Sequence, residues 1–348
     1  MHRLVQLFCI LLGIFCVFTS SSFAADKLPV FVSIVPQKYF VQQIGKDLVD
    51  VQVMVLPGAS PATYEPKPQQ MADISKTKIY FAIGVPFENA WLGKIAAANP
   101  DMRVVPTDHG IEKIAMAAHH HHDEEQEEAH HDADHHEAEH GHGKGEHHGE
   151  AAHEHGEGEH HGEAKHDHES DEHHGEAVHG EDHHEHAGLD PHIWLSPQLV
   201  KIQARTMLAA LQEADPAHGS VYEANFKAFT AQIDKLDADL KRTFEGKEGL
   251  QFMVFHPAWG YFAHTYGLKQ VPIEIEGKDP KPAQLKELIE HARESGIKMV
   301  FVQPQFSTKS AELVAREIGG QVAFANPLAE DWMGNLRGVA DKFQAALK

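Results

Sequence analysis

The chain has 348 residues, 31 histidines and a formal net charge of −22 at neutral pH. Residues 119–186 hold 23 acidic residues and only two lysines, so the remainder of the chain is close to neutral. A near-neutral remainder excludes the broad basic surface typical of nucleic-acid binding, and we expect no nucleic-acid partner.

Residues 1–24 have the features of a secretory signal peptide. Met1–Arg3 supplies positive charge, Leu4–Phe18 is apolar, and the small residues Ser22 and Ala24 precede a cleavage site before Ala25. The apolar segment is short for a membrane span, and no later apolar run approaches the ~18 residues of a transmembrane helix. Because both cysteines lie in this segment, the mature chain has no disulfide and no thiolate metal ligand. We expect an exported, periplasmic protein.

Residues 25–118, together with residues 187–215, predict an N-terminal α/β lobe. Short β-branched or apolar runs mark its strands at Val30–Val35, Val51–Leu56, Ile79–Ile83 and Val104–Pro106. Helices are predicted between these runs at Gln37–Ile44 and Pro68–Ser75. Strands that alternate with helices favour a mainly parallel sheet covered by helices.

Residues 119–186 interrupt this lobe with a different composition. The segment holds 24 of the 31 histidines and few apolar side chains, so burial cannot offset its ordering entropy and we expect disorder. Its imidazole pairs and carboxylates suit divalent Zn, Ni and Cu, as several weak, exchanging sites. The alternative is a solvated spacer with no metal role. The accessory low-affinity ligands that we predict are His147, His148, His160, His161, His173, His174, His183, His184 and His186.

A helical region follows the insert. Ser196 and Pro197 are typical of a helix start, and this helix is predicted to extend to about Gln212. A second helix fills most of a linking segment at residues 216–245, with apolar side chains at helical spacing. We interpret the second helix as a rigid connection between two lobes.

Residues 246–348 repeat the alternation and predict a C-terminal α/β lobe. The predicted strands are Gln251–Phe255, Val271–Ile275, Met299–Gln303 and Gln321–Ala325, and the predicted helices are Pro282–Ser295 and Ser310–Ile318. The fold class is therefore α/β, with two lobes that each contain a mainly parallel sheet and covering helices, bridged by one long helix and carrying a disordered His-rich insert.

Two histidines outside the insert are the main metal-ligand candidates. His192 lies in a proline-fixed turn just before a capped helix, and His256 directly follows a predicted strand. In open α/β sheets, ligands bind at the carboxyl ends of the strands. A hydrogen-bonded structural role is the alternative for each histidine, but one such residue in each lobe favours a shared metal site.

Six segments spread over the mature chain form a specific combination. They are Ser33–Tyr39, Leu56–Pro61, Tyr64–Pro66, Leu189–Pro197, Phe255–Phe262 and Phe301–Phe306. In this combination the chain resembles the zinc/manganese-binding receptors of ABC metal importers, and most of all those for zinc. The resemblance implies two α/β lobes bridged by a long helix, an ion held in the cleft, and an importer permease as partner.

The resemblance also implies four ligand positions, from which this chain departs. They correspond to Ala62, His192, His256 and Asn326. Ala62 has no donor where the family has histidine, and Asn326 is a neutral, weaker donor where the family has aspartate. Glu65, water or a histidine of the insert would complete the coordination. Further acidic donors without an assigned position are Glu274, Glu276 and Asp331.

The functional hypothesis is a periplasmic, monomeric zinc receptor. The insert would collect Zn²⁺ weakly, and the cleft would bind one ion and present it to the permease; Mn²⁺ is disfavoured by the imidazoles. Protons compete for imidazole, so capture should weaken as pH falls toward about 5.5. The alternative is a metal buffer or chaperone in which only the insert binds metal. We expect no enzyme, because outside residues 119–186 the chain lacks the His-Glu-x-x-His motif of zinc hydrolases.

Overall fold

The computed structural model describes residues 27–117, 188–275 and 277–347. The predicted signal peptide, the predicted accessory histidines of the insert and Glu276 lie outside the described residues. Within the described ranges, no helix combines the length and the apolar character needed to cross a membrane.

The first lobe is built on a four-stranded parallel sheet with the strand order β2-β1-β3-β4. Its strands are β1 Leu28–Val32, β2 Val49–Val53, β3 Ile79–Ala82 and β4 Arg103–Pro106. Val30 in the central strand pairs with Val51 on one side and Ile79 on the other. The central strands are buried on both faces, as expected for a parallel sheet covered by helices.

Helices cover this sheet and begin at prolines. They are α1 Val35–Gly45, α2 Pro68–Ile74 and α3 Pro86–Ala98, and each has a proline in its first two positions. Proline suits these positions because its missing N–H would have no partner within the helix. A 3₁₀ turn, Lys46–Leu48, leads from α1 into β2.

The second lobe repeats the topology with the strand order β6-β5-β7-β8, again all parallel. Its strands are β5 Gln251–Val254, β6 Lys269–Pro272, β7 Met299–Val302 and β8 Gln321–Phe324. Its helices are α6 Gly260–Thr265, α7 Pro282–Glu294, α8 Lys309–Glu317 and α9 Trp332–Ala346; the two helices that precede them in the chain, α4 Pro197–Ala214 and α5 Gly219–Phe244, connect the two sheets. Met253, Val300 and Val302 face α7 and α8, whereas Phe252 and Val254 face the core shared with the first lobe.

Two long helices connect the sheets. After a 3₁₀ turn, Ile193–Leu195, helix α4 spans Pro197–Ala214 and packs on β3 and β4. A further 3₁₀ turn, Pro216–His218, leads into α5, Gly219–Phe244. Helix α5 contacts α1 and α4 of the first lobe and α9 of the second, so one apolar core runs through both lobes. The predicted two-lobe α/β fold with a long bridging helix is confirmed.

The boundaries of three strands differ from the sequence predictions by two or three residues at each end, and those of the other strands by one residue at one end. β1, β2 and β6 each begin and end upstream of the predicted runs. The reason is that the chain stays buried beyond each strand, as at Ile34, Val55 and Ile273, so apolar residues alone do not mark where a strand ends. Helices α3, α6 and α9 were not predicted.

Candidate metal centre

The carboxyl edge of the second sheet carries four polar residues in register. His256 follows β5, Glu274 follows β6, Gln303 follows β7 and Asn326 follows β8, each within two residues of the strand end. Parallel strands bring these positions to one edge of the sheet, where ligands bind in open α/β folds. The strand order explains why residues far apart in sequence share a site.

His256 is fixed from three directions. Its Nδ1 lies 2.6 Å from Glu274 Oε1. The Gln303 side chain accepts from the His256 backbone N–H at 3.2 Å and donates to the His256 carbonyl at 2.6 Å. Phe306 stacks on the ring, with centroids 5.0 Å apart and an interplanar angle of 25°. Because the ring is held in this way, its Nε2 has a fixed direction.

His192 is held in the equivalent manner by the turn before α4. Asp190 Oδ1 accepts from the His192 backbone N–H at 2.8 Å and lies 2.7 Å from His192 Nδ1. The Trp194 ring lies beside the imidazole, with centroids 5.1 Å apart. Burial lowers the pKa of His192 below its ordinary value, against the opposing effect of Asp190. Burial therefore favours the neutral imidazole, the form that binds metal.

The two imidazoles meet through their Nε2 atoms, which are 3.4 Å apart. A carboxylate accepts a hydrogen bond from each Nδ1–H, and this places the proton of each neutral ring on Nδ1. Both Nε2 atoms therefore present lone pairs toward the same point. Two Zn–N bonds of about 2.0–2.1 Å at a tetrahedral angle place their nitrogens about 3.3–3.4 Å apart. The observed separation therefore matches two ligands of one tetrahedral zinc ion.

The charge of the site also favours a cation. Asp190 and Glu274 are buried, with 1% and 6% of their surfaces exposed. Their second oxygens, Asp190 Oδ2 and Glu274 Oε2, have no hydrogen-bond partner, and within the described part of the chain neither residue pairs with lysine or arginine. Two buried carboxylates without a cationic side chain carry a charge that one divalent ion would offset.

The structure places the other predicted ligands less favourably. Glu65 and Ala62 are exposed in the loop between β2 and α2. Asn326 Oδ1 already accepts from Leu328 N–H at 3.0 Å and from Gln305 Nε2 at 3.2 Å. Across residues 27–117, 188–275 and 277–347, no three His, Cys, Asp or Glu side chains are grouped so that they could hold a metal. The described centre is thus a pair of imidazoles.

One sequence candidate has another role. Asp331 caps α9 by accepting from Gly334 N–H at 3.0 Å. Sequence reasoning assigned no role to Asp190 or Gln303, although both lie in the family segments, and it left the position of Glu274 open. The spacing Asp190-Pro191-His192 was the one signal for a carboxylate behind a ligand, because a turn returns the side chain to the residue two positions on.

Comparisons with known proteins identify relatives of this chain. Residues 30–346 match the family described as ZnuA, zinc-uptake complex component A periplasmic. The high-affinity zinc uptake system protein ZnuA of Bacillus subtilis (strain 168) is 36% identical over 142 residues, 40% of this chain and 44% of that protein, so the match spans less than half of its length.

Solved structures are similar over most of the chain. A crystal structure of ZnuA has 37% sequence identity and a TM-score of 0.72, covering 93% of this chain and 100% of that chain. A ZnuA deletion mutant with zinc bound has 37% identity and a TM-score of 0.71, covering 93% of this chain and 99% of that chain. The similarity therefore includes both lobes and the segments that carry the two histidines.

Proposed function

The chain belongs to the ZnuA family of periplasmic zinc-uptake components, and we propose that it is a monomeric, high-affinity zinc receptor that delivers Zn²⁺ to the membrane permease of an ABC-type importer. The observation that carries this proposal is the 3.4 Å separation of the His192 and His256 Nε2 atoms. We further propose that the protein reaches the periplasm through a cleaved signal peptide at residues 1–24.

Zinc suits this centre better than manganese does. Imidazole nitrogen is a preferred ligand of Zn²⁺, whereas Mn²⁺ prefers carboxylate, carbonyl and water oxygens. Both imidazoles donate Nδ1–H to a carboxylate, the arrangement that fixes the tautomer of zinc-bound histidines and increases their basicity. We therefore name Zn²⁺ as the cargo and His192 and His256 as its main ligands.

Two imidazoles leave part of a four-coordinate zinc shell to other donors. We propose water for these positions, with Glu65 and Asn326 as the weaker protein candidates. Glu65 is exposed and free to turn, but Asn326 must first lose two hydrogen bonds from its oxygen. A shell with exchangeable positions suits a carrier protein, because the ion must leave again at the permease.

The His-rich insert has an accessory role in this proposal. Its 24 histidines offer many weak sites, and their attachment to the receptor raises the local zinc concentration. The rival function, a metal buffer or chaperone, rests on the same composition and assigns all binding to the insert.

Calorimetric zinc titration tests the proposal. The full mature protein is compared with a variant lacking residues 119–186 and with His256→Ala; His264→Ala serves as control because His264 is exposed and outside the centre. We expect one tightly bound zinc ion that survives the deletion and the control substitution. His256→Ala should weaken it beyond the about 10–100-fold typical of changes behind a ligand. Tight binding that disappears with the insert would favour the buffer instead.

A further inference from the structure

The turn that carries Asp190 is supported by the opposite lobe. Asp190 lies before α4, which packs on the first sheet, yet it also contacts Gly260 and Tyr261 at the start of α6 in the second lobe. These two residues follow His256 by only four and five positions. One loop therefore carries a metal ligand and also contacts the carboxylate behind the other ligand.

Gly260 makes room for the Asp190 carboxylate. A Cβ at this position would lie 2.5 Å from Asp190 Oδ2, closer than a real Cβ approaches any neighbour. Asp190 Oδ2 has no hydrogen-bond partner, and Asp190 is 1% exposed, so the carboxylate sits directly against the glycine. The backbone of Gly260 is helical, which any residue adopts, so the requirement for glycine is one of space.

Tyr261 fixes the backbone of Asp190. Its hydroxyl donates to the Asp190 carbonyl at 3.0 Å and accepts from the Ile114 N–H at 3.2 Å. Burial raises the pKa of Tyr261 to about 12, so the hydroxyl keeps its proton near neutral pH. The Asp190 N–H in turn donates to the Ile114 carbonyl at 2.9 Å. The hydroxyl thus joins the two chain segments that flank the insert to the second lobe.

We infer that Gly260 and Tyr261 are positioning residues of the metal centre, which act on His192 through Asp190; this inference rests on the proposed zinc site. If Asp190 shifts, its Oδ1 moves away from His192 Nδ1, and the proton is free to occupy Nε2 instead. A protonated Nε2 cannot bind zinc. The second lobe therefore controls whether the ligand of the first lobe presents its lone pair.

The test uses metal-free full-length protein, so it does not depend on zinc binding. Proton NMR detects imidazole N–H protons that a carboxylate holds and protects from solvent exchange. Wild-type protein should show one such signal for His192 and one for His256, assigned by their loss in Asp190→Asn and Glu274→Gln. In Gly260→Ala and Tyr261→Phe, we expect the His192 signal to shift or disappear while the His256 signal stays.

Matched controls distinguish a positioning role at the metal centre from a general loss of packing in the protein. Tyr266→Phe removes another buried hydroxyl, which donates to Asp237 at 3.1 Å, and Gly338→Ala adds a Cβ that would meet no atom within 4 Å beyond its own turns of α9. Both controls should keep both signals. Zinc affinity should fall about tenfold or more in the two test variants only.

Two results would overturn the inference. One is a His192 signal that is unchanged in both Gly260→Ala and Tyr261→Phe. The other is loss of both histidine signals in Tyr261→Phe, because a structural role would affect the two sites together. Failure of the zinc proposal has a different signature: the wild-type protein would bind no zinc at the centre while its NMR signals still responded as expected.

Discussion

Glu274 lies behind the proposed zinc ligand His256 and is placed to orient its ring. Its Oε1 lies 2.6 Å from His256 Nδ1, and the side chain is buried. Glu274→Gln removes the negative charge and allows the amide to face either imidazole tautomer. We expect zinc affinity to fall about 10–100-fold, as for other carboxylates behind zinc-bound histidines.

Competition titration against a zinc chelator measures this effect. Glu290→Gln, on the exposed side of α7, is the matched control and should leave the affinity unchanged. An affinity equal to that of wild type in Glu274→Gln would show that the carboxylate does not orient His256.

The pH dependence of zinc binding follows from His192. Burial lowers the pKa of its imidazole, so the folded protein keeps this ligand neutral below the ordinary histidine value of about 6.5. Low pH favours the protonated form, which cannot bind zinc, and affinity must therefore decrease as pH falls. We expect little loss from about pH 7.5 to about pH 6.5 and a steepening loss below that, toward about pH 5.

Calorimetry on the variant lacking residues 119–186 checks this dependence without the histidines of the insert. Affinity that does not change between about pH 7.5 and about pH 5.5 would contradict protonation of imidazole ligands as the competing reaction.

At the same scale, the sequence predicted the two histidines but not the residues that orient them. His192 and His256 stand out because each adjoins a proline-fixed turn. Glu274 and Gln303 are adjacent to His256 only because β6 and β7 flank β5, and sheet order is a long-range property that local sequence does not contain. The role of Gly260 is invisible in sequence, since it depends on where a carboxylate of the other lobe lies.

At the scale of elements, two tryptophans join the 3₁₀ turn after His192 to the second lobe. Trp332 Nε1, at the start of α9, donates to the Trp194 carbonyl at 2.7 Å, and Trp194 Nε1 donates to the Pro327 carbonyl at 2.7 Å. Both side chains are about 1% exposed. Paired, buried donors of this kind fix the turn that carries His192 against α9.

Trp332→Phe tests the contribution of this pair to stability. The substitution leaves the Trp194 carbonyl without its donor and removes ring volume next to Phe40, so we expect a loss of about 2–4 kcal/mol in the free energy of unfolding. Urea denaturation of the metal-free protein measures it. Trp91→Phe, at a partly exposed position on α3, is the control and should cost under about 1 kcal/mol. Equal losses in the two variants would contradict a specific role for the pair.

Elements with strong local signals agree best with their predictions. The proline-started helices α2, α4 and α7 lie within two residues of their predicted ends, because proline marks the first helical turn. Helix α6 was not predicted because it is short and its formation depends on packing, with Tyr261 and Phe262 buried in the shared core. Its importance comes from its position between the lobes, which local sequence does not reveal.

At the scale of the whole molecule, the two segments that flank the insert pair with each other directly. Met116 N–H donates to the Gly188 carbonyl at 3.0 Å, and Asp190 N–H donates to the Ile114 carbonyl at 2.9 Å, so the two flanking segments form a short antiparallel pair. Deletion of residues 119–186 leaves only Ala117, Ala118 and Ala187 between Met116 and Gly188. Three residues are enough to connect an antiparallel pair.

The deletion should therefore stabilise the metal-free protein or leave its stability unchanged. Each halving of a loop saves about 0.6 kcal/mol of closure entropy, and shortening from roughly 70 residues to three gives at most about 3 kcal/mol. Urea denaturation at high salt measures the gain with charge effects suppressed.

A glycine-serine replacement of the same length is the control, because it keeps the closure entropy and removes the charge. A deletion variant less stable than this control would show that three residues strain the flanking pair. If the control is itself less stable than the parent, the insert must contribute to the stability of the body, and its role would extend beyond the collection of zinc.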